Sequence, residues 1–114
     1  MFLYYPMQNV HAPLEAPPVD TLSPAIVTNC EKITNSDRKT YCQIAGFADS
    51  AIGNFTRVLD STFASDDLLM VVSGDNGGMP AAAGNNMPLR GHKAELWEGG
   101  IRNNVTAHAI LTAA

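Results

Sequence analysis

Positive charge is scarce in this chain of 114 residues: seven Lys and Arg stand against eleven Asp and Glu, a formal net charge of −4. Proteins that hold nucleic acid turn a basic face to the phosphates, so no nucleic-acid partner is expected. Long apolar runs are missing too, and nothing approaches the roughly 20 residues of a bilayer-crossing helix. No membrane segment is expected in this chain. The apolar opening Met1-Phe2-Leu3-Tyr4-Tyr5 meets Pro6 and then polar residues, too early for a secretory leader. Such an abrupt start is expected of a segment drawn from a longer protein. Internal repeats and low-complexity tracts are absent. The length suits one small domain with a modest core.

Cysteine is limited to Cys30 and Cys42, which flank a polar stretch and can close a short loop. Asn54-Phe55-Thr56 and Asn104-Val105-Thr106 are N-glycosylation patterns, which makes Asn54 and Asn104 candidate acceptors. Together with a Cys30–Cys42 disulfide they lean towards an oxidising compartment: the secretory pathway, a lysosome or the extracellular space.

Phe2 to Tyr5 reads as a short buried strand ended by Pro6. Pro13, Pro17, Pro18 and Pro24 then forbid regular structure over most of the next twenty or so residues, giving an extended connection. Thr28 to Lys39 is polar and reads as loop. A helix is expected from about Thr40, where Thr40 and Gln43 fit a capping box. Tyr41, Ile44, Ala45, Ala48, Ile52, Phe55 and Leu59 follow the spacing of one buried face. Asp49, Ser50, Asn54, Arg57 and Asp60 fall opposite. Leu68-Leu69-Met70-Val71-Val72 is an unbroken apolar run, the mark of a strand covered on both faces. The order strand, connection, helix, strand predicts an α/β fold with parallel sheet strands and a packing helix. Ligands of such sheets sit beyond the carboxyl ends of the strands. His11 and Asp75-Asn76 each follow an expected strand, so the topology sends them to one rim.

Three places on that rim carry chemistry. Asp75 and Asn76 offer a carboxylate and an amide oxygen, donors that suit a hard cation such as calcium. Taken alone, Asp-Asn-Gly-Gly is more often a turn closing a strand. His11 can donate to an anionic ester or exchange a proton near neutral pH; the ordinary alternative is a surface-loop histidine. Lys93, with Arg90 and His92 beside it, forms a cationic cluster suited to a tetrahedral oxyanion. Its ordinary alternative is a basic surface loop. Trp97 is more often a packing anchor than a ligand contact, and Glu98-Gly99-Gly100 reads as a turn into Ile101.

Four blocks in order change the weight of these signals. They are Phe2 to Tyr5 with Gln8-Asn9-Val10-His11-Ala12-Pro13-Leu14; Ala48-Asp49-Ser50-Ala51-Ile52-Gly53; Ser73-Gly74-Asp75-Asn76-Gly77-Gly78; and Gly84-Asn85-Asn86-Met87-Pro88-Leu89-Arg90-Gly91-His92-Lys93 with Leu96-Trp97-Glu98-Gly99-Gly100-Ile101-Arg102. In these the chain resembles the type I sulfatases, most closely their arylsulfatase B-like branch. The resemblance covers 1–102 and leaves 103–114 outside the pattern, so 1–114 is read as part of one catalytic domain of the alkaline-phosphatase-like fold. It implies hydrolysis of sulfuric esters, with a sulfated small molecule or glycan as substrate. Asp75 and Asn76 are implied as calcium ligands, and His11 and Lys93 as sulfate contacts. The family's formylglycine nucleophile arises from a Cys-x-Pro-Ser-Arg motif, which is missing here: Cys30 precedes Glu-Lys-Ile and Cys42 precedes Gln-Ile-Ala. The chain by itself is therefore expected to be inactive. The alternatives are a phosphatase or phosphodiesterase of the same superfamily and a non-catalytic glycoprotein module. Nothing in the sequence fixes the oligomeric state.

Overall fold

The computed structural model describes residues 2–63 and 68–103 and the backbone of 105–109. The chain divides into two compact units, Met1–Ser50 and Ala51–Ala114.

The first unit begins without a strand. Residues 2–8 have no regular structure, and Phe2, Leu3, Tyr4 and Tyr5 are all exposed. The expectation of a buried strand there is corrected: four apolar residues gain burial only where a partner strand and a covering face exist, and among the described residues no strand pairs with them. The proline-rich stretch is extended as far as a single 3-10 turn at Val19–Thr21. Helix α1, Pro24–Glu31, follows, with Pro24 in its first turn and the Ser23 hydroxyl accepting from the Ile26 amide at 3.4 Å. Proline suits that position because its missing N–H would have had no helical partner.

Helix α2 runs Ser36–Thr62, starting four residues before the expected Thr40. Its cap is Asn35, whose side-chain oxygen accepts from the Arg38 amide at 2.9 Å. Asn at this position stabilises a helix by about 1 kcal/mol relative to Ala. The segment read as loop, Thr28 to Lys39, is thus divided between the end of α1, a short turn and the start of α2. Polarity marked it as exposed, which it largely is, but exposure does not forbid a helix.

The two helices meet closely at Gly46, where a Cβ would stand 2.6 Å from Cγ2 of Ile26. Leu22, Cys30, Gln43 and Ile44 form the buried centre. Cys30 and Cys42 join α1 to α2 through a disulfide, with Cα atoms 5.7 Å apart. Lys39 and Glu31 add an ion pair at 2.7 Å; being partly exposed, it contributes little.

In the second unit the far end of α2 keeps the expected amphipathic sense. Asn54, Arg57 and Asp60 are exposed and Ile52 and Leu59 half-buried, as expected, but Phe55, expected on the buried face, is exposed, and its neighbour Thr56 is half-buried instead. Strand β1, Leu69–Ser73, pairs antiparallel with β2, Val105–Ala109, from Leu69 opposite Ala109 to Ser73 opposite Val105. This corrects the expected parallel sheet. Among its described residues the intervening chain carries a 3-10 turn at Pro80–Ala82 and the one-turn helix α3, Glu98–Ile101, but no crossover helix long enough to cover a parallel pair. Exposure along β1 alternates, with Leu69 and Val71 outward and Met70 and Val72 half-buried. The strand is therefore covered on one face, not two. On the covered face the Thr56 hydroxyl of α2 meets the Met70 sulfur at 3.8 Å, so helix and strand are in contact as expected. No helix among the described residues is long and apolar enough to cross a membrane.

A disulfide stabilises chiefly by restricting the unfolded chain. Replacing both Cys30 and Cys42 by Ser should lower stability by roughly 3 kcal/mol, the value expected of a loop of this size. Urea unfolding of the two forms measures the difference; equal midpoints would contradict it.

Candidate functional site

Strand β1 delivers the chain into Gly74-Asp75-Asn76-Gly77-Gly78, and backbone contacts hold that turn from three sides. On the first, Gly74 lies against the Asn103 side chain, whose Nδ2 donates to the Asn76 carbonyl at 2.9 Å. On the second, the Gly77 amide donates to the Gly100 carbonyl at 2.9 Å. A Cβ on Gly77 would collide with the Gly99 carbonyl oxygen, so only glycine allows this approach. On the third, the Asn86 carboxamide accepts from the Gly78 amide at 2.8 Å and donates to the Gly78 carbonyl at 2.8 Å.

The Gly78 carbonyl also receives the Lys93 amide at 3.3 Å. The segments bearing Asp75, Asn76 and Lys93 are therefore joined directly, all within the second unit. Lys93 itself is half-buried. Gly91, two residues before it, has φ +87, a left-handed conformation natural to glycine, with Trp97 and Glu95 packed against it. Gly99, first of the α3 glycines, donates to the Arg90 carbonyl at 2.7 Å and closes this loop from beneath.

The expected cationic cluster does not act as three converging charges. Arg90 stacks on the Trp97 ring, 3.5 Å from its centroid, a cation–π contact that engages the guanidinium. The His92 ring lies 2.8 Å from the Lys93 carbonyl and 3.8 Å from the Glu95 carboxylate. Glu95 also accepts the His92 amide at 3.1 Å. Trp97 is thus an anchor for the loop, and the expected turn at Glu98-Gly99-Gly100 is α3.

Asp75 is exposed and Asn76 half-buried. Neither side chain has a hydrogen-bond or ion-pair partner among the described residues. Two adjacent oxygen donors left open, on a turn fixed by its neighbours, fit part of a calcium shell. They do not complete one, since calcium takes 6–8 oxygens. Among the described residues no three His, Cys, Asp or Glu side chains gather as a metal site.

His11 belongs to the first unit. It is exposed, its amide donates to the Gln8 carbonyl at 2.9 Å, and its Nδ1 lies 2.7 Å from the Ala12 carbonyl. Asn54 stands exposed on α2, where its side-chain oxygen accepts from Arg57. Asn104 lies outside the described residues. Asn86 and Asn103 were not singled out from sequence. A lone Asn near glycine reads as a turn residue, and only the fold reveals what its carboxamide spans.

The sulfatase family profile matches residues 1–108. Arylsulfatase J of Mus musculus is 39% identical over 111 residues, covering 97% of this chain and 18% of that protein. Two crystal structures of Ps i-CgsB, one in complex with k-i-k-neocarrahexaose, each align at TM-score 0.75 and 31% identity. Each alignment covers 89% of this chain and 21% of theirs. The chain belongs to the sulfatase family and has the fold of a segment of it, spanning about a fifth of the length of these relatives.

The glycine contacts predict opposite outcomes at two positions. Gly77→Ala should destabilise the chain by about 1–3 kcal/mol, because the added methyl meets fixed backbone. Gly53→Ala, in α2 with nothing within 4 Å of its Cβ, should stabilise by about 0.5–1 kcal/mol through helix propensity. Thermal unfolding of both variants checks the pair; equal shifts would contradict the close approach at Gly77.

Proposed function

We propose that this chain supplies the calcium-turn and lysine portions of an arylsulfatase-type sulfuric ester hydrolase, within one catalytic domain that extends beyond it. The observation carrying the reading is the Lys93 amide bound to the Gly78 carbonyl. It ties the open Asp75–Asn76 oxygens to the family's lysine-bearing loop. The exposed Leu69 and Val71 of β1 support the larger domain, since an apolar strand face gains stability when covered.

Asp75 and Asn76 hold calcium in this reading. The bound cation supplies a positive charge against the sulfate. The Lys93 ammonium contacts a sulfate oxygen and offsets charge growing on the departing ester oxygen, an effect strongest when the donor is already fixed. His11 keeps the sulfate-contacting role implied by the resemblance. The nucleophile comes from another part of the domain, so the isolated chain does not turn over. The neocarrahexaose held by Ps i-CgsB makes a sulfated glycan the first substrate to test, beside an aryl sulfate. The disulfide and the exposed Asn54 support a secretory, lysosomal or extracellular location, with Asn54 and Asn104 as glycan acceptors.

Lys93→Ala in the full-length protein should leave folding intact and reduce sulfate-ester turnover at least about a hundredfold. His92→Ala removes one contact to the Lys93 carbonyl and should cost under about tenfold. Equal, mild effects would remove Lys93 from the site. Calorimetry on the isolated chain should find calcium affinity weaker than about micromolar, given an incomplete shell. Submicromolar binding would contradict the incomplete shell and mean that this chain holds the further ligands itself.

A further inference from the structure

Asn86 makes three hydrogen bonds that no role assigned above requires. Its Oδ1 accepts from the Gly78 amide at 2.8 Å, and its Nδ2 donates to the Gly78 carbonyl at 2.8 Å and the Gly91 carbonyl at 3.3 Å. One planar carboxamide thus grips both polar groups of Gly78 and reaches the residue two before Lys93. The Gly78 carbonyl accepts from Asn86 and from the Lys93 amide together. Gly78 is three residues past Asp75 and two past Asn76. Packing behind Asn86 keeps it in place: the Gly84 Cα closes on Gly78, and the Leu89 amide donates to the Asn86 carbonyl at 2.8 Å.

We infer that Asn86 is a positioning residue that locks the Lys93 loop onto the Asp75–Asn76 turn. It fixes the ammonium relative to the two oxygens without touching ester or cation. The inference deepens the sulfatase reading and rests on it for the catalytic consequence. The mechanical part stands on the three bonds alone. Removing the carboxamide leaves the Lys93 amide bonded to a Gly78 peptide that can itself turn. The lysine then samples positions in which it does not meet the developing charge, so kcat should fall more than KM rises.

Two arms test this in the full-length protein. In the first, Asn86→Ala and Asn86→Asp are compared by amide hydrogen exchange. Aspartate keeps an acceptor for the Gly78 amide but cannot donate to Gly78 or Gly91. Both variants should speed exchange at Lys93 while amides inside α2, such as those of Ile52 and Thr56, remain protected. Lys93 protection unchanged in both variants overturns the proposal, whatever the activity. The second arm is a double-mutant cycle on sulfate-ester turnover. Asn86→Ala should lower kcat at least about tenfold in the native background and scarcely at all once Lys93 is already Ala. Equal losses in both backgrounds mean that Asn86 acts independently of Lys93, which also overturns it. If Lys93→Ala alone leaves turnover unchanged, Lys93 is removed from the site; if the native full-length protein turns over no sulfate ester, the sulfatase reading fails. In either case the exchange arm alone decides what Asn86 does.

Discussion

The Gly77 amide donates to the Gly100 carbonyl, and its Cα lies so close to the Gly99 carbonyl that no side chain fits between them. Much of the second unit follows from this backbone-to-backbone contact. It brings the turn after β1 against α3, and α3 closes the Arg90–Lys93 loop through the Gly99 amide. A contact between two backbones has no rotamer freedom, so it defines position more sharply than a side-chain contact of equal strength. The glycines at Gly77, Gly78, Gly84, Gly99 and Gly100 are spacings before they are turns. They let three loops of little regular structure approach to hydrogen-bonding distance.

On that frame the polar groups divide by task. Asn86 and Asn103 are turned inward to satisfy backbone groups of the Asp75–Asn76 turn. Buried or half-buried peptide groups need such partners when no sheet or helix supplies them. Asp75 and Asn76 keep their side-chain oxygens available. Arg90 is engaged by Trp97, and His92 by its own loop. Of the basic residues in this stretch, Lys93 is the one whose backbone is fastened to the turn.

The helix α2 and the strand β1 were legible in the sequence because each rests on a local pattern: a repeat of three and four for the helix, an apolar run for the strand. The start of α2 was misplaced because Thr40 and Gln43 satisfy the capping rule as well as Asn35 does. Helix α1 was missed because its residues are mixed in polarity, although Ser23-Pro24 is a sound starting signal. The parallel sheet was wrong for a different reason. Pairing direction and the covering of each strand face are set by distant segments, and the apolar run from Leu68 to Val72 reports only that burial is favourable. In the same way, sequence marked Asp75, Asn76 and Lys93 through their family motifs. It gave no sign of the carboxamide that joins them.

A crystal structure of the full-length protein with calcium and a non-hydrolysable sulfate-ester analogue tests the account most directly. It should show oxygens of Asp75 and Asn76 about 2.3–2.6 Å from the ion. The Lys93 ammonium should lie within hydrogen-bond reach of a sulfate oxygen, and Asn86 should still bridge Gly78 and Gly91. Calcium held away from Asp75 and Asn76, or Lys93 turned into solvent with the analogue bound, would contradict it.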